Sequence, residues 1–298
     1  MSDSFLDQRA GLAAKVAVVT GGGGGLGRAS ALDLAAAGCS LALADLDAAA
    51  LAATAAEARA MGADVVTAAI DVREPDALAG FFGQVDEHFG RLDILVNVVG
   101  GTFRAAFTDV SAKGRDTLVR TNFTWVVEST QLAARRMAAG GRGGSIVMLT
   151  SIEAHRAAPG FAVYAAMKAA LAHLARSLAV ELGPAGIRVN CVAPDFVPTE
   201  GLNEVASTAG SGSARAARSA SDPGDALTIP LGRKGRPEDV GSCVLFLASD
   251  LSGYITGTTL HPDGGVLASS GWWRWPEEGF MARPPAWVLD QLEGRPED

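Results

Sequence analysis

The sequence predicts an α/β protein whose single parallel sheet is covered by helices on both faces. Three observations predict it: short apolar runs alternate with helical patterns, a glycine-rich turn joins the first run to the first helix, and an aspartate closes the second run. Strands that alternate with helices form βαβ units, in which successive strands lie parallel. With 298 residues, the chain is long enough to bury one large core or two small ones.

The elements follow one another with short connections. Apolar, β-branched runs predict strands buried on both faces at residues 15–20, 40–45, 65–71, 93–100, 145–151 and 187–194. The intervening segments have helical character and predict helices at residues 27–38, 47–62, about 75–89, about 114–139 and about 161–182.

The glycine-rich stretch TGGGGGLG (Thr20–Gly27) has two interpretations, a flexible linker or a phosphate-binding turn. A linker has no reason to lie between a buried strand and the helix that follows it directly. At that place the helix N-terminus offers N–H groups and a positive dipole end, and glycine lets a pyrophosphate approach the backbone. The flanks therefore predict a dinucleotide-binding turn, and with it a Rossmann-type doubly wound sheet.

Asp45 closes the second strand, about twenty residues after the glycines, where a carboxylate can accept hydrogen bonds from ribose hydroxyls. The alternative is a helix N-cap, but Asp47 stands closer to the helix start and can fill that role. A carboxylate here repels a 2′-phosphate, and the residue before Gly25 is Gly24 rather than a basic side chain. We therefore expect NAD rather than NADP.

A second informative stretch runs from Ser151 to Lys168. Tyr164 and Lys168 are four residues apart in a helical pattern, so both side chains project from one helix face. Ser151 ends a strand, at the edge where open α/β sheets bind their ligands. A serine there is by itself usually a cap or turn residue. Together with Tyr164, Lys168 and the glycine turn, it predicts a reaction site.

Composition excludes several other classes. A formal charge of −8 gives no electrostatic footprint for nucleic acid or an anionic membrane. The three cysteines and four histidines lack the spacing of a disulfide framework or a metal site. The N-terminal segment does not match a signal peptide, and charges interrupt the apolar runs before membrane-spanning length. We expect a cytoplasmic protein without a metal.

These motifs, in this order, resemble the short-chain dehydrogenase/reductase family over about residues 15–267. TGGGGGLG fits the family's Thr-Gly-x-x-x-Gly-x-Gly turn, and NVVG (97–100) stands where the family has Asn-Asn-Ala-Gly. PDFVPT (194–199) resembles its Pro-Gly-x-Val-x-Thr segment, and residues 235–265 follow its last helix and strand. The resemblance extends to bacterial NAD-dependent members and to 3-oxoacyl-reductase-like proteins.

The resemblance assigns the site residue by residue. It implies the catalytic set Asn122, Ser151, Tyr164 and Lys168. It implies that cofactor is bound by Thr20, Gly21, Gly25, Leu26, Gly27, Asp45, Asp71, Val72, Asn97, Gly100, Pro194, Val197 and Thr199, together with Tyr164 and Lys168.

The implied chemistry moves a hydride between a secondary alcohol carbon and a nicotinamide, with Tyr164 as general base. A phenol has a pKa near 10, so a cation must stabilise its phenolate, and Lys168 supplies that charge and binds the nicotinamide ribose. Ser151 hydrogen-bonds the substrate oxygen, and Asn122 holds a water that carries the proton outward.

The chain departs from the family pattern at two places. NVVG replaces the second asparagine and the alanine by Val98 and Val99. PDFVPT carries Asp195 where glycine is usual, which adds a carboxylate beside the nicotinamide end. After Ser151, the polar residues Glu153, His155 and Arg156 have two open interpretations, pocket lining or a solvated loop.

The sequence narrows the substrate to a few chemical classes but does not identify it. Residues of about 199–229 are rich in Ser, Ala and Gly, which favours either a disordered loop or the substrate lid that the family carries there. We expect a cyclic, steroid-like or other hydrophobic alcohol. A 3-oxoacyl thioester (ACP or CoA) reductase is one alternative, and a non-catalytic NAD-binding scaffold is another.

The domain organisation is a Rossmann-fold domain over 1–267 and a C-terminal extension over 268–298. That extension holds four of the five tryptophans, and exposed aromatic clusters usually mark an interface. We expect it to pack on a neighbouring subunit. The family pairs its long helices across two-fold axes, so we expect a homotetramer, with a dimer as the alternative.

Overall fold

One parallel sheet organises the chain. The computed structural model describes residues 5–199 and 223–293, and seven strands in it pair in the order β3-β2-β1-β4-β5-β6-β7. These strands are β1 Val16–Thr20, β2 Ser40–Asp45, β3 Val65–Ala69, β4 Ile94–Asn97, β5 Gly144–Leu149, β6 Ile187–Val192 and β7 Thr259–Leu260. The predicted fold class, a doubly wound parallel sheet with helices on both faces, is confirmed.

Helices connect the strands and cover both faces of the sheet. The first seven are α1 Phe5–Ala10, α2 Gly25–Ala36, α3 Ala48–Ala60, α4 Pro75–Phe89, α5 Ala112–Val119, α6 Trp125–Gly140 and α7 Ala162–Leu182. Four more follow: α8 Pro223–Thr228, α9 Pro237–Ala248, α10 Val266–Ser269 and α11 Ala286–Glu293.

The core lies in two layers, one on each side of the sheet. Alternate residues of β1 show the division, because Ala17 and Val19 pack into one layer while Val16 and Val18 pack into the other. The first layer lies beneath α2, α3 and α9, and the second lies beneath α4, α6 and α7. All five residues of β1 are buried, which explains its continuous apolar sequence.

The order of the strands reverses beside β1. The chain runs outward from β1 to β3 and then returns to place β4 on the other side of β1. In open α/β sheets, ligands bind where the order reverses, outside the carboxyl ends of the strands. This topology puts the glycine turn, Asn97 and Ser151 at one edge.

The C-terminal extension forms an antiparallel hairpin, β8 Trp273–Trp275 and β9 Gly279–Met281, followed by α11. Trp275 is buried and its ring lies between those of Trp273 and Trp287, with centroids 5.9 and 5.8 Å away. Trp272, Trp273 and Trp287 remain between 40 and 52% exposed.

Most of the predicted lid over 199–229 lies outside the described residues, which resume at α8. Within the described ranges, no helix is long and apolar enough to span a membrane. The same residues contain no group of three or more potential metal ligands.

Candidate active site

The glycine turn leads directly from β1 into α2. Gly21 and Gly25 have φ of +69° and +51°, values that favour glycine. Gly24 is the N-cap of α2, so the cap has no side chain to occupy the N–H groups of the first turn. A Cβ added at Gly24 would meet no atom within 4 Å, which leaves open space above the helix end. The turn thus has the geometry of an anion-binding site.

Asp45 lies at the end of β2 and faces this turn. Its Oδ2 accepts from the backbone N–H of Gly23 at 2.9 Å, and its Oδ1 accepts from that of Asp47 at 3.0 Å. Asp47, not Asp45, caps α3, since its Oδ1 accepts from Ala49 and Ala50. The competing N-cap interpretation of Asp45 is therefore wrong.

Two predicted residues support the turn from behind. Thr20 Oγ1 accepts from the N–H of Val98 at 3.0 Å and donates to the carbonyl of Val96, so it joins the ends of β1 and β4. Gly27 lies against Gly21, and a Cβ at Gly27 would overlap the Gly21 carbonyl oxygen. Neither residue lines the cleft itself.

Tyr164 and Lys168 project from α7 toward the end of β5. The Lys168 ammonium is buried, donates to the carbonyl of Leu149 at 2.9 Å and lies 5.7 Å from the centroid of the Tyr164 ring. Tyr164 forms a side-chain hydrogen bond with Ser151, which follows β5. Ser151 Oγ also accepts from the N–H of Glu153 at 3.2 Å, so it both caps a short turn and faces the tyrosine.

Burial shifts the pKa values of both Tyr164 and Lys168. It raises the pKa of Tyr164 above its ordinary value, while the hydrogen bond with Ser151 acts in the opposite direction. Burial lowers the pKa of Lys168 to about 8. A phenol and an amine brought together in this way can exchange a proton with a ligand and stabilise the resulting phenolate.

Asn122 lies in a π-helical turn, Arg120–Thr124, between α5 and α6. The continuous helix predicted for this region is therefore interrupted by a wider turn. The side chain of Asn122 binds both polar groups of the Gly101 backbone, accepting from its N–H at 3.2 Å and donating to its carbonyl at 2.8 Å. It also donates to the carbonyl of Leu118, a backbone acceptor on its own helix. Asn122 thereby fixes the backbone next to Gly100.

Gly100 allows these groups to meet. A Cβ at this position would lie 3.0 Å from Lys168 Nζ and 3.1 Å from Asn122 Oδ1, closer than ordinary side-chain contacts. Asn97 lies farther back, fully within the core, where its amide bonds to Ser129 and Thr130 of α6. Asn97 therefore holds the strand to the helix, and its side chain does not line the cleft.

A cleft of about 780 Å³ joins the glycine turn to Tyr164 and Lys168. The predicted residues that line it are Gly21, Gly25, Leu26, Asp45, Asp71, Val72, Gly100, Ser151, Tyr164, Lys168, Pro194, Val197 and Thr199. Thr20, Gly27 and Asn122 do not line it but support residues that do. Asn97 does not line it either, and its side-chain partners lie on α6. Thr199 packs close to Gly25, where an added Cβ would lie 3.0 Å from its Cγ2.

Several lining residues were not predicted. Arg73 lines the cleft and forms a bidentate ion pair with Asp71, in which Nε and Nη2 donate to that carboxylate at 2.9 and 2.7 Å. This hydrogen bond holds the pKa of Asp71 below its usual range. Thr121, which accepts from Arg73 at 3.4 Å, also lines the cleft. The only available signal was proximity in sequence to Asp71 and Asn122.

Comparison with known proteins shows the family to which the chain belongs. Residues 22–267 match a family model described as Enoyl-(Acyl carrier protein) reductase, which covers most of the Rossmann-type unit. The chain is a short-chain dehydrogenase/reductase. The resemblance predicted from the motifs is confirmed, and the protein is an oxidoreductase of this type.

Characterised members of the family differ in their substrates. A cyclohexanol dehydrogenase of a Rhodococcus species is 36% identical over 72% of this chain and 77% of its own length. The 3-oxoacyl-acyl-carrier-protein reductase of Thermotoga maritima is 34% identical over 71% of this chain and 80% of its own length. The structure of carveol dehydrogenase from Mycobacterium avium in complex with NAD has a TM-score of 0.78 and 32% identity, covering 86% of this chain and 98% of that one.

Proposed function

We propose that this short-chain dehydrogenase/reductase uses NAD(H) to transfer a hydride between the nicotinamide and a secondary alcohol or ketone. The observation that carries the proposal is the group of Ser151, Tyr164 and Lys168 at one end of a cleft whose other end is the glycine turn. The cyclohexanol and carveol dehydrogenases among its relatives support a cyclic or other hydrophobic alcohol as the substrate class.

The described residues fit a dinucleotide on their own geometry. Open space above Gly24, an uncapped first turn of α2 and the Asp45 carboxylate suit a pyrophosphate and a ribose in sequence. When bound, the nicotinamide supplies the hydride acceptor. Asp71, Val72, Pro194, Val197 and Thr199 would hold the rest of the cofactor along the cleft.

Side chains of the protein would transfer the proton from the substrate hydroxyl. Ser151 donates to the substrate oxygen, and Tyr164 removes the hydroxyl proton as general base. Lys168 would stabilise the phenolate electrostatically, since its buried ammonium lies 5.7 Å from the centroid of the Tyr164 ring. Asn122, which fixes Gly101, would keep open the route by which a water takes the proton outward.

The test is steady-state formation of reduced cofactor by the purified chain, with NAD and separately with NADP. The panel contains cyclic alcohols, sterols and 3-hydroxyacyl thioesters. Turnover of cyclic alcohols or sterols with NAD is the expected result. Tight NAD binding without turnover of any member would instead support the non-catalytic scaffold.

A 3-oxoacyl thioester reductase is the second candidate, supported by the Thermotoga maritima relative and by the description of the matching family model. The discriminating measurement is the ratio of kcat/KM for a 3-hydroxyacyl-CoA to that for a cyclic alcohol of similar size. A ratio well above one would favour this candidate over the first.

The choice of NAD over NADP is expected to depend on Asp45. Asp45→Asn removes the charge that repels a 2′-phosphate but keeps the size of the side chain, so we expect the kcat/KM ratio of NAD to NADP to fall by about tenfold or more. Asp47→Asn is the matched control, because Asp47 is adjacent in the cleft but serves as the cap of α3. An unchanged ratio in Asp45→Asn would contradict the assignment.

We also propose that the chain assembles as a homotetramer, or else a dimer, in which the C-terminal extension packs on a neighbouring subunit. Support comes from its large exposed apolar side chains: Trp272, Trp273, Phe280, Trp287 and Leu289. Ending the chain at Ser269 is expected to give a smaller species in light scattering. The double variant Trp272→Ser/Phe280→Ser, which leaves Trp275 buried, is expected to weaken assembly in the same direction. Full assembly and activity after truncation would refute this role.

A further inference from the structure

A charged cluster stands beside the reacting end of the cleft. Arg156 Nη2 donates to Glu153 Oε1 at 2.8 Å and lies 3.4 Å from Asp195 Oδ1. Glu153 is two residues after Ser151, and Asp195 directly follows Pro194. The arrangement places two carboxylates and one guanidinium beside the cleft, and Asp195 is the one that reaches its wall.

Asp195 is the member of this cluster that lines the cleft, as Ser151 and Tyr164 do. Its side chain is 24% exposed, and burial raises its pKa while Arg156 opposes that shift. The carboxylate accepts from Arg156 and from the backbone N–H of Phe196. A carboxylate has about four acceptor positions, so capacity for a further donor remains.

The chemistry of hydride transfer gives this carboxylate no role. If an apolar substrate covered Asp195, it would remove water from a charged acceptor without replacing the lost hydrogen bonds. An anionic group would also be disfavoured, because the guanidinium of Arg156 is already shared between two carboxylates. A neutral substrate with a hydrogen-bond donor at this position avoids both costs.

We infer that Asp195 determines specificity by accepting a hydrogen bond from a second hydroxyl of the substrate. This inference rests on the proposed function and narrows it from cyclic alcohols in general to cyclic diols or polyols. One hydroxyl is oxidised at Tyr164, and the other is bound by Asp195 without reacting. A hydrogen bond to a charged acceptor is stronger than one between neutral groups, so the second hydroxyl should be selected strongly.

The experiment compares matched alcohols that differ by one hydroxyl. Two sizes are used, cyclohexanol against the 1,2-, 1,3- and 1,4-cyclohexanediols, and a monohydroxysteroid against its dihydroxy analogues. In the wild type, kcat/KM for at least one diol is expected to exceed that of its partner alcohol by about 10- to 100-fold. Asp195→Asn is expected to reduce this ratio about tenfold, and Asp195→Gly, the residue usual in the family, is expected to remove it.

Asp64→Asn is the control, since Asp64 pairs with His88 on the surface and does not line the cleft. It is expected to keep the wild-type ratio. Equal ratios in wild type and both Asp195 variants, or a wild-type preference for the monohydroxy compounds, would overturn the inference alone. Failure to oxidise any alcohol, with binding of NADH intact, would overturn the proposed function itself.

Discussion

Tyr164→Phe is expected to lower kcat for alcohol oxidation by about 100- to 10,000-fold, the range typical for loss of a general acid–base group. The substitution removes only the phenolic oxygen and leaves the ring over which Lys168 lies. In the wild type, kcat for oxidation is expected to rise with pH because the reactive form is the phenolate, and burial raises the pKa of Tyr164. The measurements are kcat and its pH profile with the best substrate of the panel.

Binding of NADH, followed by fluorescence titration, is the control for Tyr164→Phe and is expected to remain within a few-fold of the wild type. Substitution of the exposed Tyr254, the second tyrosine of the chain, gives a matched variant, and Tyr254→Phe should retain full activity. Retention of most turnover in Tyr164→Phe would remove Tyr164 from the role of base.

Gly27→Ala is expected to have the largest effect on stability. The added methyl would overlap the carbonyl oxygen of Gly21, a backbone atom in a turn that has little room to move. Overpacking against backbone is expected to lower the free energy of unfolding by about 3 kcal/mol, and Tm by roughly 5–10 °C. The same displacement would distort the glycine turn, so NADH binding should also weaken. Thermal unfolding and NADH titration measure the two effects.

Gly24→Ala belongs to the same turn and is the matched control for stability. No atom lies within 4 Å of the added methyl, and the backbone of Gly24 is extended, with a φ of −146°. Its Tm is therefore expected to stay near that of the wild type. Equal Tm values for the two variants would show that the close packing of Gly27 on Gly21 does not limit stability.

The fold and the chemical centre could be predicted because local sequence determines them. The strand-turn-helix pattern around Thr20–Gly27 needs no distant residue to specify it, and the four-residue spacing of Tyr164 and Lys168 places both on one helix face. Parallel strand ends meet at one edge, so Ser151 could be assigned to the same crevice. These are consequences of periodicity and topology.

Features that depend on long-range partners could not be predicted. Arg73 and Asp71 are only two residues apart, but the hydrogen bond from Arg73 to Thr121 joins residues 48 positions apart, because the π-helical turn Arg120–Thr124 lies beside the loop after β3. The pairing of Arg156 with Asp195 joins loops 39 residues apart. From the sequence alone, Arg156 could either line the pocket or lie in a solvated loop. The side-chain partners of Asn97 on α6, Ser129 and Thr130, could not be predicted either, and its contact with the cofactor stays a prediction.

The π-helical turn Arg120–Thr124 has a consequence for how this helix can vary. Each residue advances an α-helix by about 100°, so the extra residue in a π turn offsets the angular phase of α5 from that of α6. If one residue were deleted there, α6 could still pack on the sheet through Ala133 and Met137. The helix face that carries Asn122 would then rotate away from Gly101. The π turn thus allows α6 to pack on the sheet while Asn122 faces Gly101, two orientations that a regular α-helix through this region would not combine.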